Sequence, residues 1–189
     1  MKILFFIRSD TVDLSKFNIK DIPGTSGRLD VIARCVIAAL FKGDFLDKNV
    51  QIWIYLDKYG TLIFDSNEIN AEEFPKNELL LSDFIVKIIN NRKSISPISI
   101  LKEAFTEVIH KIENLGYKIY ILSEKGKDFF RNLKSLKKQE KLAFIIGNQT
   151  GEFIDSEELG RFNFPNLSLG NQSYLASSII RLIKINIKT

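Results

Sequence analysis

This chain of 189 residues is short of the residues that most often do chemistry, with one cysteine, one histidine, one tryptophan and one methionine. The single Cys35 excludes an internal disulfide, and with only His110 beside it a structural zinc site lacks its ligands, so no metal is expected. His110 falls beside Glu103, Glu107 and Glu113 on the polar side of a helical pattern and reads as a surface residue, with nothing nearby to activate as a nucleophile. No apolar run approaches the roughly 20 residues that a membrane-spanning helix needs. The opening Ile3-Leu4-Phe5-Phe6-Ile7 is too short for a signal peptide and is followed by Arg8, so it reads as a strand and the protein as cytoplasmic, with no membrane partner. The glycine patterns G-x-x-x-x-G-K-[ST] and G-x-G-x-x-G after a strand are both missing, which disfavours nucleotide hydrolysis and common dinucleotide binding.

What is there suits a folded, soluble chain, with 45% hydrophobic and 26% charged residues. The length fits one domain over residues 1–189, and a net charge of +4 permits a nucleic-acid partner without demanding one. Strand-length apolar stretches alternate with helical patterns, which predicts an α/β fold with a mostly parallel sheet flanked by helices. Strands are expected over 2–8, 50–56, 61–65, 117–122, 142–146 and 166–169, and helices over 28–42, 78–91, 128–138 and 174–186. Leu101, Ala104, Phe105, Val108, Ile112 and Leu115 recur at threes and fours and predict a further helix ended by Gly116. Residues 67–77 read as a surface loop.

The stretch from Asp21 to Cys35 is the most informative. A Pro/Gly loop, Ile22-Pro23-Gly24-Thr25-Ser26-Gly27, runs into an apolar helix that Ser26 or Gly27 is placed to cap. Arg28 in the first helical turn opposes the positive end of the helix dipole, which makes this junction a candidate anion site. The plainer alternative is an i,i+4 pair between Asp30 and Arg34, with Arg28 pointing into water. The helices around Val31–Phe41 and Leu175–Ile185 are apolar on nearly every side, so part of their burial is expected from a second subunit in a homodimer. Cys35, inside the first of them, is expected to be buried and inert.

Three polar loops at expected strand ends are candidate ligand-binding elements: Ser123-Glu124-Lys125-Gly126, Gly147-Asn148-Gln149-Thr150-Gly151, and Ser168-Leu169-Gly170-Asn171-Gln172-Ser173. Lys127, Arg131, Lys134 and Lys138 fall on one face of an expected helix, as a stripe that either tracks a phosphate backbone or is a solvated surface.

The segment from Ile22 to Val36 resembles the amino-terminal signature of the TrmY family, the SPOUT-class methyltransferases associated with N1-methylation of pseudouridine at tRNA position 54. Ser96-Pro97, the run from Tyr120 to Asp128, the run from Phe144 to Gly147, and Ser168-Leu169 follow in the family's order. The resemblance implies a SPOUT fold with a C-terminal trefoil knot, a homodimer, and S-adenosyl-L-methionine held by the three knot loops. Carried over by position, Leu122, Ser123, Gly147, Gly151, Ser168, Leu169, Gly170, Tyr174 and Leu175 would hold that cofactor. Arg28 would stabilise a uracil oxygen or an adjacent phosphate, and Asp30 would orient the ring or accept its proton. Arg8, Arg34, Lys127, Arg131, Lys134 and Lys138 are expected RNA contacts, the RNA being a tRNA. The chain departs from the family where Asn148-Gln149 replaces an Asp-His pair and where Leu175-Ala176-Ser177-Ser178-Ile179 replaces a His-Ala-x-His-Cys pattern. Two other functions therefore stay open: a related methyltransferase for rRNA or another nucleoside, and an RNA-binding protein without catalysis.

Overall fold

The computed structural model describes residues 1–91, 98–147, 152–170, 172 and 174–188. The chain begins with β1 (Lys2–Ser9), α1 (Ile22–Thr25), α2 (Leu29–Leu40) and a small hairpin of β2 (Phe41–Lys42) and β3 (Phe45–Leu46). Next come β4 (Val50–Leu56), β5 (Gly60–Asp65), α3 (Glu78–Asn91), β6 (Ser99–Leu101) and α4 (Phe105–Asn114). It ends with β7 (Lys118–Asp128), α5 (Phe129–Leu136), β8 (Lys141–Ile146), α6 (Glu157–Gly160), β9 (Asn166–Ser168) and α7 (Ala176–Lys188).

Among the described residues, seven strands form one sheet in the order β6-β5-β4-β1-β8-β7-β9. β1 pairs in parallel with β4 and β8, and β7 in parallel with β8 and β9. Only the β4-β5-β6 edge is antiparallel, so the expected mostly parallel sheet is what forms. β1 is an unbroken apolar run because both of its faces are covered. Ile3, Phe5 and Ile7 join the core layer that includes α2, α3, α5 and α7, while Leu4 and Phe6 face α4, Phe153 and Leu159 on the other side. Fully burying side chains of this size is worth about 1.5–3 kcal/mol each. Among the described residues, no helix is long and apolar enough to cross a membrane, and no cluster of three or more His, Cys, Asp or Glu side chains could hold a metal ion.

Several elements differ from the sequence expectation. The Pro/Gly segment folds as the short helix α1, because the Asp21 side chain accepts from the Gly24 amide and Pro23 sits in the first turn. Leu101 belongs to an edge strand rather than to the following helix, which starts only at Phe105. β7 continues through the stretch read as a loop: Leu122 and Lys127 both pair with Leu167, so residues 123–126 bulge out of the sheet between them. Lys127 is consequently a strand residue and Lys138 lies beyond the end of α5, so only Arg131 and Lys134 of the cationic stripe are on the helix. Ser96-Pro97 and Asn148-Gln149 lie outside the described residues.

α7 is not buried all round. Ile180, Ile183 and Ile187 are buried while Ile185 is 61% exposed. Lys184, by contrast, is buried in the layer between α7 and α2.

Candidate active site

A cavity of about 500 Å³ opens at the carboxyl ends of β1, β8 and β7, where the chain switches from one side of β1 to the other. Its walls come from every part of the chain that follows those strands: Ser9, Asp10 and Thr11 after β1, Gly147 after β8, and Leu122, Ser123 and Glu124 at the bulge of β7. Leu169, Gly170, Tyr174 and Leu175 close it on the side between β9 and α7. The described residues of the three loops picked from the sequence therefore meet in one place. Ser168 does not line the cavity. It is buried, and its hydroxyl accepts from the Gly170 amide at 3.1 Å, shaping the turn behind the wall. Gly151 lies outside the described residues.

Gly147 is fixed by its own chain. A Cβ there would lie 2.9 Å from Cγ1 of Ile154, so only glycine lets that segment pack against the end of β8. The wall residues that sequence reasoning missed are Ser9–Thr11 and the inner face of α2, Val31, Ile32 and Cys35. The first group had a legible signal, since β1 is a parallel strand whose following loop belongs at a ligand site. Burial pushes the Cys35 thiol up to about 12, against the opposing charge of Arg34, so it remains a neutral apolar lining residue.

The Arg28 junction forms the Asp30–Arg34 pair of the plainer reading, but Arg28 does not point into water: it pairs with the same carboxylate. Gly27 and Arg28 are both left-handed, with φ of 61° and 71°, an unfavourable conformation for arginine. This strained pair turns the chain into α2, whose first amide is capped from a distance: the Ser26 hydroxyl accepts from Leu29 N at 3.0 Å. The Arg28 side chain then folds back onto Asp30 as a fork, with Nε 3.0 Å from Oδ1 and Nη2 3.2 Å from Oδ2. Arg34 donates to the same carboxylate at 2.7 Å and lies 3.6 Å from Glu78. Burial alone would raise the pKa of Asp30, but its hydrogen bonds and charge contacts with Arg28 and Arg34 outweigh that and hold it below the usual carboxylate range. Arg28 remains half-exposed on the cavity wall, braced by an anion that two guanidiniums keep ionised.

Arg8, expected to contact RNA, is committed elsewhere. Its guanidinium grips Asp57 through two 2.9 Å bonds and Glu158 through one of 2.7 Å. His110 is on the surface, paired with Glu113.

The chain is 27% identical to the tRNA (pseudouridine(54)-N(1))-methyltransferase of Pyrococcus abyssi, over 98% of this chain and 96% of that one. It is 32% identical to the protein of the same name from Methanococcus maripaludis strain C5, over 84% of this chain and 83% of that one. The crystal structure of Archaeoglobus fulgidus Nep1 bound to S-adenosylhomocysteine shares the fold, with a TM-score of 0.68 at 14% identity, over 100% of this chain and 98% of that one. All of residues 1–189 match one family profile, and the chain belongs to that family, described as "Putative SAM-dependent RNA methyltransferase".

Proposed function

We propose that this protein transfers a methyl group from S-adenosyl-L-methionine to N1 of pseudouridine in tRNA, at a position of the type that its relatives' names give as 54. It would act in the cytoplasm as a homodimer, with the knotted C-terminal region that the TrmY resemblance implies. The observation that carries this reading is the sharing of one cavity by Arg28, braced by Asp30 and Arg34, and by Leu122, Gly147, Leu169 and Gly170.

The residues present suit the cofactor. The cavity falls within the about 300–1,000 Å³ of small-molecule sites. Leu122, Ile146, Leu167 and Leu169 offer an apolar slot for a purine and a thioether, beside the backbone polar groups of Gly147 and Gly170. Each guanidinium on the wall (Arg8, Arg28 and Arg34) is already bound to a carboxylate, so none opposes a cationic sulfur uncompensated. When bound, the cofactor supplies a methyl group on that sulfur.

The chain's own residues meet the remaining needs. Attack by N1 requires loss of its proton and stabilisation of the charge left on the ring, and the Arg28 donors serve the second need at a uracil oxygen. Asp30, held anionic by two cations, is a weak proton acceptor, so its part is to orient Arg28. Glu124 lines the same cavity and forms no hydrogen bond or ion pair among the described residues, which leaves its carboxylate free to take the proton.

The test is methyl transfer to tRNA carrying pseudouridine, with mass mapping of the product. Arg28→Ala is expected to lower kcat by about 100-fold or more while S-adenosylhomocysteine binding stays within a few-fold of wild type. Transfer at the wild-type rate removes Arg28 from the mechanism. Wild-type transfer to other RNA but not to pseudouridine-containing tRNA overturns the substrate.

A further inference from the structure

Among the described residues, Arg8 is set apart from the surface cations by its surroundings. Its guanidinium lies 5.2 Å from the ring centre of Phe105, 5.4 Å from that of Phe153 and 5.7 Å from that of Tyr55. Within this aromatic cage it bridges two carboxylates from distant parts of the chain, Asp57 in the β4-β5 turn and Glu158 in α6. The hydrogen bond to Asp57, reinforced by Glu158, raises its pKa above the ordinary arginine value despite the opposing effect of burial. An arginine held by two carboxylates and three rings has little left to offer a phosphate.

Arg8 reaches the cavity wall with its donors already committed to Asp57 and Glu158, and we infer that it is a positioning residue for the cofactor site, acting through residues 153–158. The contacts are continuous. Arg8 packs on Phe153, the next residue Ile154 presses against Gly147, and Gly147 lines the cavity. The same guanidinium fixes the far end of that segment through Glu158, two residues after Ser156 caps α6. Without this cation, Asp57 and Glu158 would repel each other across the gap. The segment, which also carries Glu152, Asp155 and Glu157, would lift from the sheet and take the backing of Gly147 with it. The inference rests on the reading that the Gly147 wall holds the cofactor.

The experiment is calorimetric titration with S-adenosylhomocysteine, combined with steady-state kinetics and salt-dependent tRNA binding. Arg8→Met is expected to weaken S-adenosylhomocysteine at least tenfold and to raise the cofactor KM equally, with kcat at saturation within about threefold of wild type. Arg8→Lys, which keeps the charge but loses the fork, should recover part of that loss. The slope of log Kd for tRNA against log salt should be unchanged. Because Arg8→Met removes a partly buried charge and could fail to fold, Glu158→Gln serves as the second variant. It leaves the Asp57 pair and the aromatic cage intact and is expected to weaken the same ligand about threefold or more. Cofactor affinity unmoved in the folded variants overturns the inference, as does a tRNA salt slope that falls by about one unit, the mark of a lost phosphate contact. Wild-type protein that does not bind S-adenosylhomocysteine overturns the underlying reading and this inference together, whereas loss of the variant effect alone overturns only the inference.

Discussion

The ammonium of Lys184 lies 3.1 Å from the Asp47 carboxylate and donates to the carbonyls of Ala38, Ala39 and Phe41, so one side chain of α7 closes the carboxyl end of α2. The last carbonyls of a helix have no partners within it and carry the negative end of its dipole, and a buried cation answers both needs. Lys184→Met would keep the volume but strand three carbonyls and weaken the hold on Asp47. It is expected to cost about 3 kcal/mol, on the scale of breaking a buried charge pair, read as a lower midpoint in urea denaturation. A change below 0.5 kcal/mol would mean that water replaces the ammonium.

Asp47 gives that cluster a pH signature. Burial pushes its pKa up, but hydrogen bonds and charges from Lys188 and Lys184 outweigh this and hold it below the ordinary carboxylate value. A depressed folded pKa stabilises the fold fully above the unfolded value near pH 4, and the contribution is lost as pH falls through the lower folded value. The stability difference between wild type and Asp47→Asn is therefore expected to be flat from pH 7 to about 5 and to shrink below about pH 4. Burial lowers the Lys184 pKa, against the raising charge and hydrogen bond of Asp47. Unfolding curves at pH 7, 5 and 3 check it, and a difference that persists at pH 3 contradicts it.

Gly27 couples the strained entry of α2 to the loop after β1. A Cβ at Gly27 would lie 1.8 Å from the Thr11 carbonyl oxygen, in a left-handed backbone that already disfavours side chains, while the Thr11 hydroxyl donates to the Gly27 carbonyl at 2.9 Å. Gly27→Ala is expected to push the Ser9–Thr11 wall aside, costing about 2 kcal/mol or more and weakening S-adenosylhomocysteine by at least tenfold. Wild-type affinity in calorimetry would show that this wall does not contact the ligand.

The legible parts of this molecule are those where one physical rule dominates. β1, β4, β5 and β8 were readable because buried parallel or paired strands are continuous apolar runs, and α3 because its apolar face recurs at helical spacing. Leu101 misled because its spacing to Phe105 and Val108 suits a helix, while pairing with Thr61 on the edge strand decides its state. Lys184 sits in a run of isoleucines and leucine where nothing local marks it as buried. Its partners are carbonyls more than 140 residues earlier, and backbone acceptors leave no trace in composition. The surroundings of Arg8 were hidden for a similar reason, since a cation at a strand end looks available until its cage of Tyr55, Phe105 and Phe153 has folded around it.

Beyond the cavity, Lys127, Arg131, Lys134 and Lys138 are all exposed, with Phe129 and Leu136 buried to fix the orientation of α5. Replacing Arg131, Lys134 and Lys138 together by glutamine is expected to lower the slope of log Kd for tRNA against log salt by about 2–3 units, with cofactor affinity unchanged. An unaltered slope assigns the stripe to solvent.

The proposed dimer is testable at one surface groove. A surface groove between α2, α3 and α7 places Ile37 and the half-exposed Leu79 among the polar residues Arg34, Lys76, Asn77, Glu78 and Arg181. Arg34 lines both this groove and the cavity, so a second copy seated in the groove would abut the Asp30–Arg34 brace of Arg28. An apolar contact broken by a charge at such a site fails through the desolvation cost of the charge. Leu79→Glu is therefore expected to turn a sedimenting dimer into a monomer at micromolar concentration. It should retain S-adenosylhomocysteine binding, because the cavity walls come from one chain, but lose at least tenfold in methyl transfer, because the brace of Arg28 would stand uncovered. A wild-type protein that sediments as a monomer, or a Leu79→Glu monomer with full turnover, would separate catalysis from assembly and return the groove to solvent.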